Sequence, residues 1–257
     1  MIDRNGSVFP TYSPAYGGPP YDMVDASMVF VSFTADNAAL HAAVPAPLEL
    51  ASGDATAIVS DLVQLPHVGW FFEGSIRIPV RFAEIASEFT PQIWCSEDEA
   101  VLVGREVYGM PKIMCDRTRL ERAGNQVRGE VRRRGDTVMK VAVNIERRAD
   151  KGLFAKAGSR LTVRSFASPD PSRPDYREVL YIPLTDFKIE EAWEGRGFVE
   201  IHDTPHASPG ILRPTSVRTG YYVRGSWSLG AAKSLWSNYQ PAAAVSAPSA
   251  PPTAALR

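Results

Sequence analysis

The chain has 257 residues, 44% hydrophobic and 22% charged, with 29 acidic residues against 28 basic ones and a formal charge of −1. That balance supports a buried core and argues against extensive disorder or collagen-like order. It also provides no net field to attract nucleic acid or an anionic membrane surface. No apolar run approaches the ~18 to 20 residues of a bilayer span, and the start lacks the basic, apolar, small-residue order of a signal peptide, so a cytoplasmic protein is expected. Cys95 and Cys115 are too few for a disulfide framework and are expected to be reduced and partly buried.

In chain order, residues 1–20 read as an irregular arm rich in Pro, Gly, Tyr and Ser. Met28 to Phe33 is the first strand. Asp36 caps a short helix to Val44, and Thr56 to Leu65 returns as a strand. Val68 to Phe82 reads as two strands joined near Gly74. In Val138 to Ile145, the residues Met139, Val141, Val143 and Ile145 alternate with Lys140, Ala142 and Asn144, the mark of a half-exposed strand. Leu229 to Tyr239 offers a second helix. From residue 241 to 257 the chain is almost all Ala, Pro and Ser and reads as a disordered tail. The expectation is one mainly β domain over 21–240, antiparallel, with a few short helices, because the long helical stretches of βαβ units are absent.

Several chemistries find no support in the pattern. Four histidines (His41, His67, His202, His206) are scattered. His202 and His206 have the spacing of one helix face, but Pro205 and Pro209 make that segment a loop, so no metal is expected. No nucleophile-elbow serine motif occurs, and the glycines at 195 and 197 lack phosphate-cradling spacing. The basic stretch from Arg117 to Arg134 lacks interleaved aromatics and reads as a solvated strand face or subunit contact, with no nucleic-acid partner.

Lysine is the informative residue type. Six of the 28 basic residues are lysine, and five of them have charged, polar or exposed-looking neighbours. Lys112 instead lies in Val107-Tyr108-Gly109-Met110-Pro111-Lys112-Ile113-Met114, where only the tyrosine hydroxyl is polar. Burial there would lower its pKa, and a value near ~6 to 7 would leave roughly half the amines neutral at pH 7, ready to form a Schiff base with a ketone. The other reading is a lysine whose stem covers Met110 and Met114 while its head reaches water.

Gly104-Arg105-Glu106, four further residues, then Pro111-Lys112 resembles the active-site segment of the acetoacetate decarboxylase family. Ala39 to Leu50 and Glu190 to Asp203 are similar to the same family, in its order. The resemblance implies an antiparallel, cone-shaped β barrel around a closed apolar pocket, in a homo-oligomer. It implies that Lys112 is the Schiff-base lysine and that Glu73, in Phe71-Phe72-Glu73-Gly74, holds or shuttles a proton. Trp70, Phe71, Phe72, Tyr108 and Met110 would form the apolar wall. Arg105 would clamp a substrate carboxylate or form an ion pair that props the lysine strand, and Tyr221 and Tyr222 would reach the pocket, the core or an interface. No cofactor is called for. Two positions depart from the family: Ile113 stands where a second lysine is typical, and Ala26 where a gapless match places an arginine. The implied activity is carbon–carbon lyase chemistry on a small oxo acid, with decarboxylation of a 3-oxo acid as the default. The alternatives are aldol or dehydration chemistry on a 2-oxo acid such as pyruvate, and a non-catalytic barrel for an apolar ligand.

Overall fold

A computed structural model describes residues 14–66, 68–155 and 158–239. Residues 14–20 of the expected arm form no regular element, while 1–13 and the expected tail over 241–257 lie outside the described residues. In chain order, β1 (Tyr21–Thr34) is followed by α1 (Asn37–Ala43), β2 (Glu49–Leu50), β3 (Asp54–Leu65), β4 (Gly69–Phe82) and β5 (Ile85–Cys95). Next, α2 (Asp98–Leu102) runs into one wide helical turn, Val103–Val107, and then β6 (Lys112–Met114). The rest is β7 (Glu121–Ala123), β8 (Gln126–Arg133), β9 (Asp136–Arg148), β10 (Gly158–Phe166), β11 (Tyr176–Ile201), β12 (Ser216–Leu229) and β13 (Lys233–Ser237). The expected first helix is present: the Asp36 carboxylate accepts the Ala39 N–H at 2.9 Å and satisfies one of the donors that a helix start leaves open.

Seven strands form a ring in the order β10, β5, β4, β3, β1, β12, β11, closed because β10 pairs with both β5 and β11. All these neighbours are antiparallel except β10 and β5, which are parallel and joined by the single pair Arg160 and Glu88. The ring therefore closes through a thin seam and is not a regular barrel. From β11 the sheet continues through β9, β8 and β7.

Strand alternation gives each ring strand two environments. In β1, Val29, Val31 and Phe33 face outward into the main core, where Val127, Val131, Met139, Val141 and Val143 of β8 and β9 cover them. Met28, Phe30 and Ser32 of the same strand face the interior of the ring. The main core thus lies between the ring and the returning sheet, and the ring interior keeps a cavity of about 390 Å³.

Two expectations are corrected. The segment Leu229 to Tyr239 is not a helix: Leu229 ends β12, and β13 pairs with β11, Trp236 opposite Val179 and Lys233 opposite Tyr181. The long β11 offers backbone partners that a marginal eleven-residue helix cannot match in water. Gly74 does not join two strands either; β4 runs straight through it, with Gly74 paired to Val59 and to Trp94. The residue is small because a Cβ there would overlap the Val131 side chain of the covering sheet. Gly74→Ala is accordingly expected to destabilise the protein by about 1–3 kcal/mol through overpacking, read as a lower urea midpoint with an unchanged slope.

Candidate active site

Lys112 opens the three-residue strand β6, which adds to β5 in parallel with Lys112 opposite Ile93. The turn before it is tied down by its own backbone: Met110 N–H donates to the Gly104 carbonyl at 2.8 Å, and Lys112 N–H to that of Met110 at 2.8 Å. Gly104 lies against the lysine stem, so that a Cβ there would collide with Lys112 Cδ. The segment is built around the lysine side chain.

The Lys112 side chain turns into the ring, where the residue is 5% exposed. Its Nζ lies 2.9 Å from Glu73 Oε2 and 5.3 Å from the centre of the Phe71 ring. Glu73 comes from β4 and is paired with Cys95 of β5, whose thiol donates to the same Oε2 at 3.4 Å. Cys95, fully buried, sits between the two strands that supply the ion pair. The Tyr108 hydroxyl is spent on the backbone, donating to the Gly230 carbonyl at 2.9 Å, and burial pushes its pKa well above the ordinary phenol value. It is therefore a hydrogen-bond donor and not a base.

One expectation about Lys112 is reversed. Burial is the largest influence on the amine and opposes its charge, but Cys95 and the Glu73 carboxylate together outweigh it and hold the resting ammonium above the ordinary lysine value. Burial itself raises the Cys95 thiol well above the usual thiol range, so at neutral pH it carries no charge and the carboxylate is the partner that keeps the ammonium. The dry surroundings deduced from sequence are present; what sequence reasoning left out is the anion at hydrogen-bond distance.

The cavity brings together Lys112, Glu73, Tyr108 and Met110 from the expected site. It does not include Trp70, Phe71 or Phe72. Alternation along β4 puts Phe71 and Glu73 on one face and sends Phe72 to the main core, while Trp70 packs at its edge under the guanidiniums of Arg117 and Arg119. Arg105 is exposed, and its Nη1 donates to the Lys112 carbonyl at 3.2 Å, so it braces the lysine strand from outside. Tyr221 lines the cavity, whereas Tyr222 lies in the main core. Ile113 points away from the cavity and packs against the main core, and Ala26 is buried beside Phe71, Ile93 and Cys95. His202 and His206 fall at the end of β11 and in the short turn closed by Thr204 and Ala207.

Sequence reasoning missed three charged residues that also line the cavity: Arg77 of β4, Glu88 of β5 and Arg160 of β10. Arg77 was within reach, since it stands four residues after Glu73 and period two places it on the same face. Glu88 and Arg160 meet through the ring seam, which no local pattern announces.

The molecule is a ring of strands that encloses a buried lysine–glutamate pair. A family model described as acetoacetate decarboxylase matches residues 8–239, and the chain belongs to that family. An acetoacetate decarboxylase of Chromobacterium violaceum is 26% identical over 214 residues, which is 80% of this chain and 83% of that protein. A solved acetoacetate decarboxylase structure superposes with a TM-score of 0.83 at 18% identity, covering 93% of this chain and all of the other. The enduracididine biosynthesis enzyme MppR, solved with the condensation product of pyruvate and imidazole 4-carboxaldehyde, is similar in fold, with a TM-score of 0.76 at 19% identity over 89% of this chain and 95% of the other.

The ion pair predicts a change of sign with pH. Because the folded-state value of Lys112 lies above its unfolded value of 10.5, its stabilisation is present below that value and is lost only as pH climbs through the raised one. In Glu73→Gln, burial is opposed only by the uncharged Cys95 thiol, and the folded value falls below the unfolded one. The variant should be about 3–5 kcal/mol less stable at pH 7 and should recover part of this on going to about pH 9, a gain absent from the wild type, as measured by denaturant midpoints.

Proposed function

We propose that the chain is a Schiff-base-forming lyase that acts on a small oxo acid through Lys112, with decarboxylation of a 3-oxo acid as its reaction. The single observation behind this reading is the Lys112 amine, buried in the ring and 2.9 Å from a carboxylate that can take its proton. The resting ammonium is not a nucleophile. Passing one proton from Nζ to Glu73 Oε2 makes a neutral amine beside a neutral acid, a pair that a water-poor cavity tolerates better than separated charges.

The amine adds to the ketone carbon, and the protonated Glu73 returns its proton to the departing hydroxyl, which leaves as water. The resulting iminium draws the electron pair of the adjacent carbon–carboxylate bond, so carbon dioxide departs and an enamine remains. A water molecule then supplies both the proton that the enamine carbon takes up, relayed through Glu73, and the oxygen that adds to the iminium carbon. This releases the shortened ketone and the neutral amine, and one proton from solvent restores the ammonium. Glu73 is the one ion-pair partner of Lys112 among the described residues and supplies the proton transfers.

A second reading keeps the imine and uses the enamine for aldol or dehydration chemistry on a 2-oxo acid. It is favoured by the likeness in fold to MppR, solved with a condensation product of pyruvate, and by the absence of a basic side chain at positions 26 and 113. The products separate the two: carbon dioxide from a 3-oxo acid, or a condensed acid from pyruvate plus an aldehyde.

Borohydride added with acetoacetate or pyruvate should leave a reduced adduct on Lys112, located by peptide mass spectrometry and lost in Lys112→Ala. Glu73→Gln should cut turnover by about 10²- to 10⁴-fold with the reactive carbonyl still reaching the lysine. A folded wild-type protein that gives no adduct with any ketone would leave a non-catalytic barrel for an apolar ligand as the better account.

A further inference from the structure

The charges in the cavity do not cancel. At the closed end, Lys112 and Glu73 neutralise each other. Toward the other end, two guanidiniums share one carboxylate: Arg160 Nη1 lies 2.9 Å from Glu88 Oε2, and Arg77 Nη1 lies 3.6 Å from the same oxygen. The first contact has a structural duty, because Arg160 and Glu88 are the register pair that closes the ring. The second is longer than a hydrogen bond, and among the described residues the Arg77 side chain makes no hydrogen bond at all. Burial, then the neighbouring Arg160, lowers the Arg77 pKa to about 10, with Glu88 and Glu73 only partly offsetting this. One planar fork of donors therefore lines the cavity with its positive charge unmatched.

This end is also where the cavity meets solvent. The Glu88 side chain is 38% exposed and Leu153, which also lines the cavity, 54%, against 5% for Lys112. Arg77 follows Glu73 by four residues on one strand face, which separates their backbones by about 13 Å. A carboxylate directly attached to, or one carbon from, a ketone bound at Lys112 stays at the closed end. An anion on the far side of a carbon chain reaches the fork.

We propose that Arg77, with Arg160, holds an anionic group that the substrate carries several carbons away from its ketone, so that the substrate class is an extended oxo acid. The inference rests on the reading of Lys112 as the imine-forming amine and adds the residue that selects among ketones. Arg77 is a specificity-determining residue, its guanidinium matching two carboxylate oxygens at once.

The test is a ladder of methyl ketones trapped with borohydride on the full chain: levulinate, 6-oxoheptanoate and 8-oxononanoate, each against the uncharged ketone of equal length. The longer acids should half-saturate trapping at about tenfold lower concentration than their neutral counterparts, with a length optimum beyond levulinate. Arg77→Gln should abolish this advantage, acids and neutral ketones then half-saturating trapping at similar concentrations, while Glu88→Gln, which frees both forks, should enlarge it. Equal trapping of acids and neutral ketones at every length, or an advantage that survives in folded Arg77→Gln, overturns the proposal while leaving the imine intact. If no ketone of either kind is trapped, the imine reading falls by itself. Calorimetric titration with heptanoate against heptanol then decides the anion site, which stands if only the acid binds and Arg77→Gln removes it, and falls if the acid has no preference. Should Arg77→Gln fail to fold, the wild-type ladder and Glu88→Gln decide the matter in the same directions.

Discussion

A lysine ammonium and a glutamate carboxylate, 2.9 Å apart and shut inside a ring of strands, form the interaction around which this molecule is arranged. Withdrawing two charges from water costs several kcal/mol per ion, and their attraction offsets that only when the geometry is held closely. Two short pieces of register hold it. Lys112 is fixed opposite Ile93, Glu73 is fixed opposite Cys95, and β5 between them presents the small Cys95 where the two longer side chains must meet. Gly104 clears the path of the lysine stem, and Arg105 braces the strand from outside by binding the Lys112 carbonyl.

The ring explains why the pair can be dry without being crushed. A strand has two faces, and here the main core takes the outer one, packing Val29, Val31, Val59 and Ile76 against β8 and β9. Stability is thus gathered outside the ring, and the inner face is free to remain a cavity. Gly74 shows the cost of that division: the covering sheet comes so close that no side chain fits at this point of β4. The pair itself can then be imperfectly solvated, because the folding free energy comes from elsewhere.

Much of this was legible in the chain, and the failures share a cause. Period-two patterns located β1, β3 and β9, Asp36 announced its helix, and the isolation of Lys112 among apolar residues announced its burial. The same alternation, applied strictly to β4, separates Phe71 and Glu73 from Trp70 and Phe72; treating the four as one wall overlooked it. What local pattern cannot contain is partnership across the sheet. Leu229 to Tyr239 looks like a weak helix until the edge of β11 is there to pair with it. Lys112 looks like an amine of depressed pKa until Glu73 stands beside it, and the seam joining Glu88 to Arg160 exists only once the ring has closed.

The two departures from the family acquire a physical meaning in this geometry. Position 113 faces the main core, so a cation there would act on Lys112 only through the strand, and with isoleucine in place the core gains packing instead. Position 26 lies fully buried beside Phe71 and Cys95, and its alanine leaves the closed end with Lys112 as its one cation among the described residues. A proton leaving Nζ consequently has one charged acceptor, Glu73, and no second positive charge nearby to drive it off. Positive charge is instead concentrated at the open end, on Arg77 and Arg160. In the proposed reading this separates two tasks that a compact site would combine. The closed end performs carbonyl chemistry that is indifferent to the rest of the substrate, and the open end recognises an anion at a distance set by the strand.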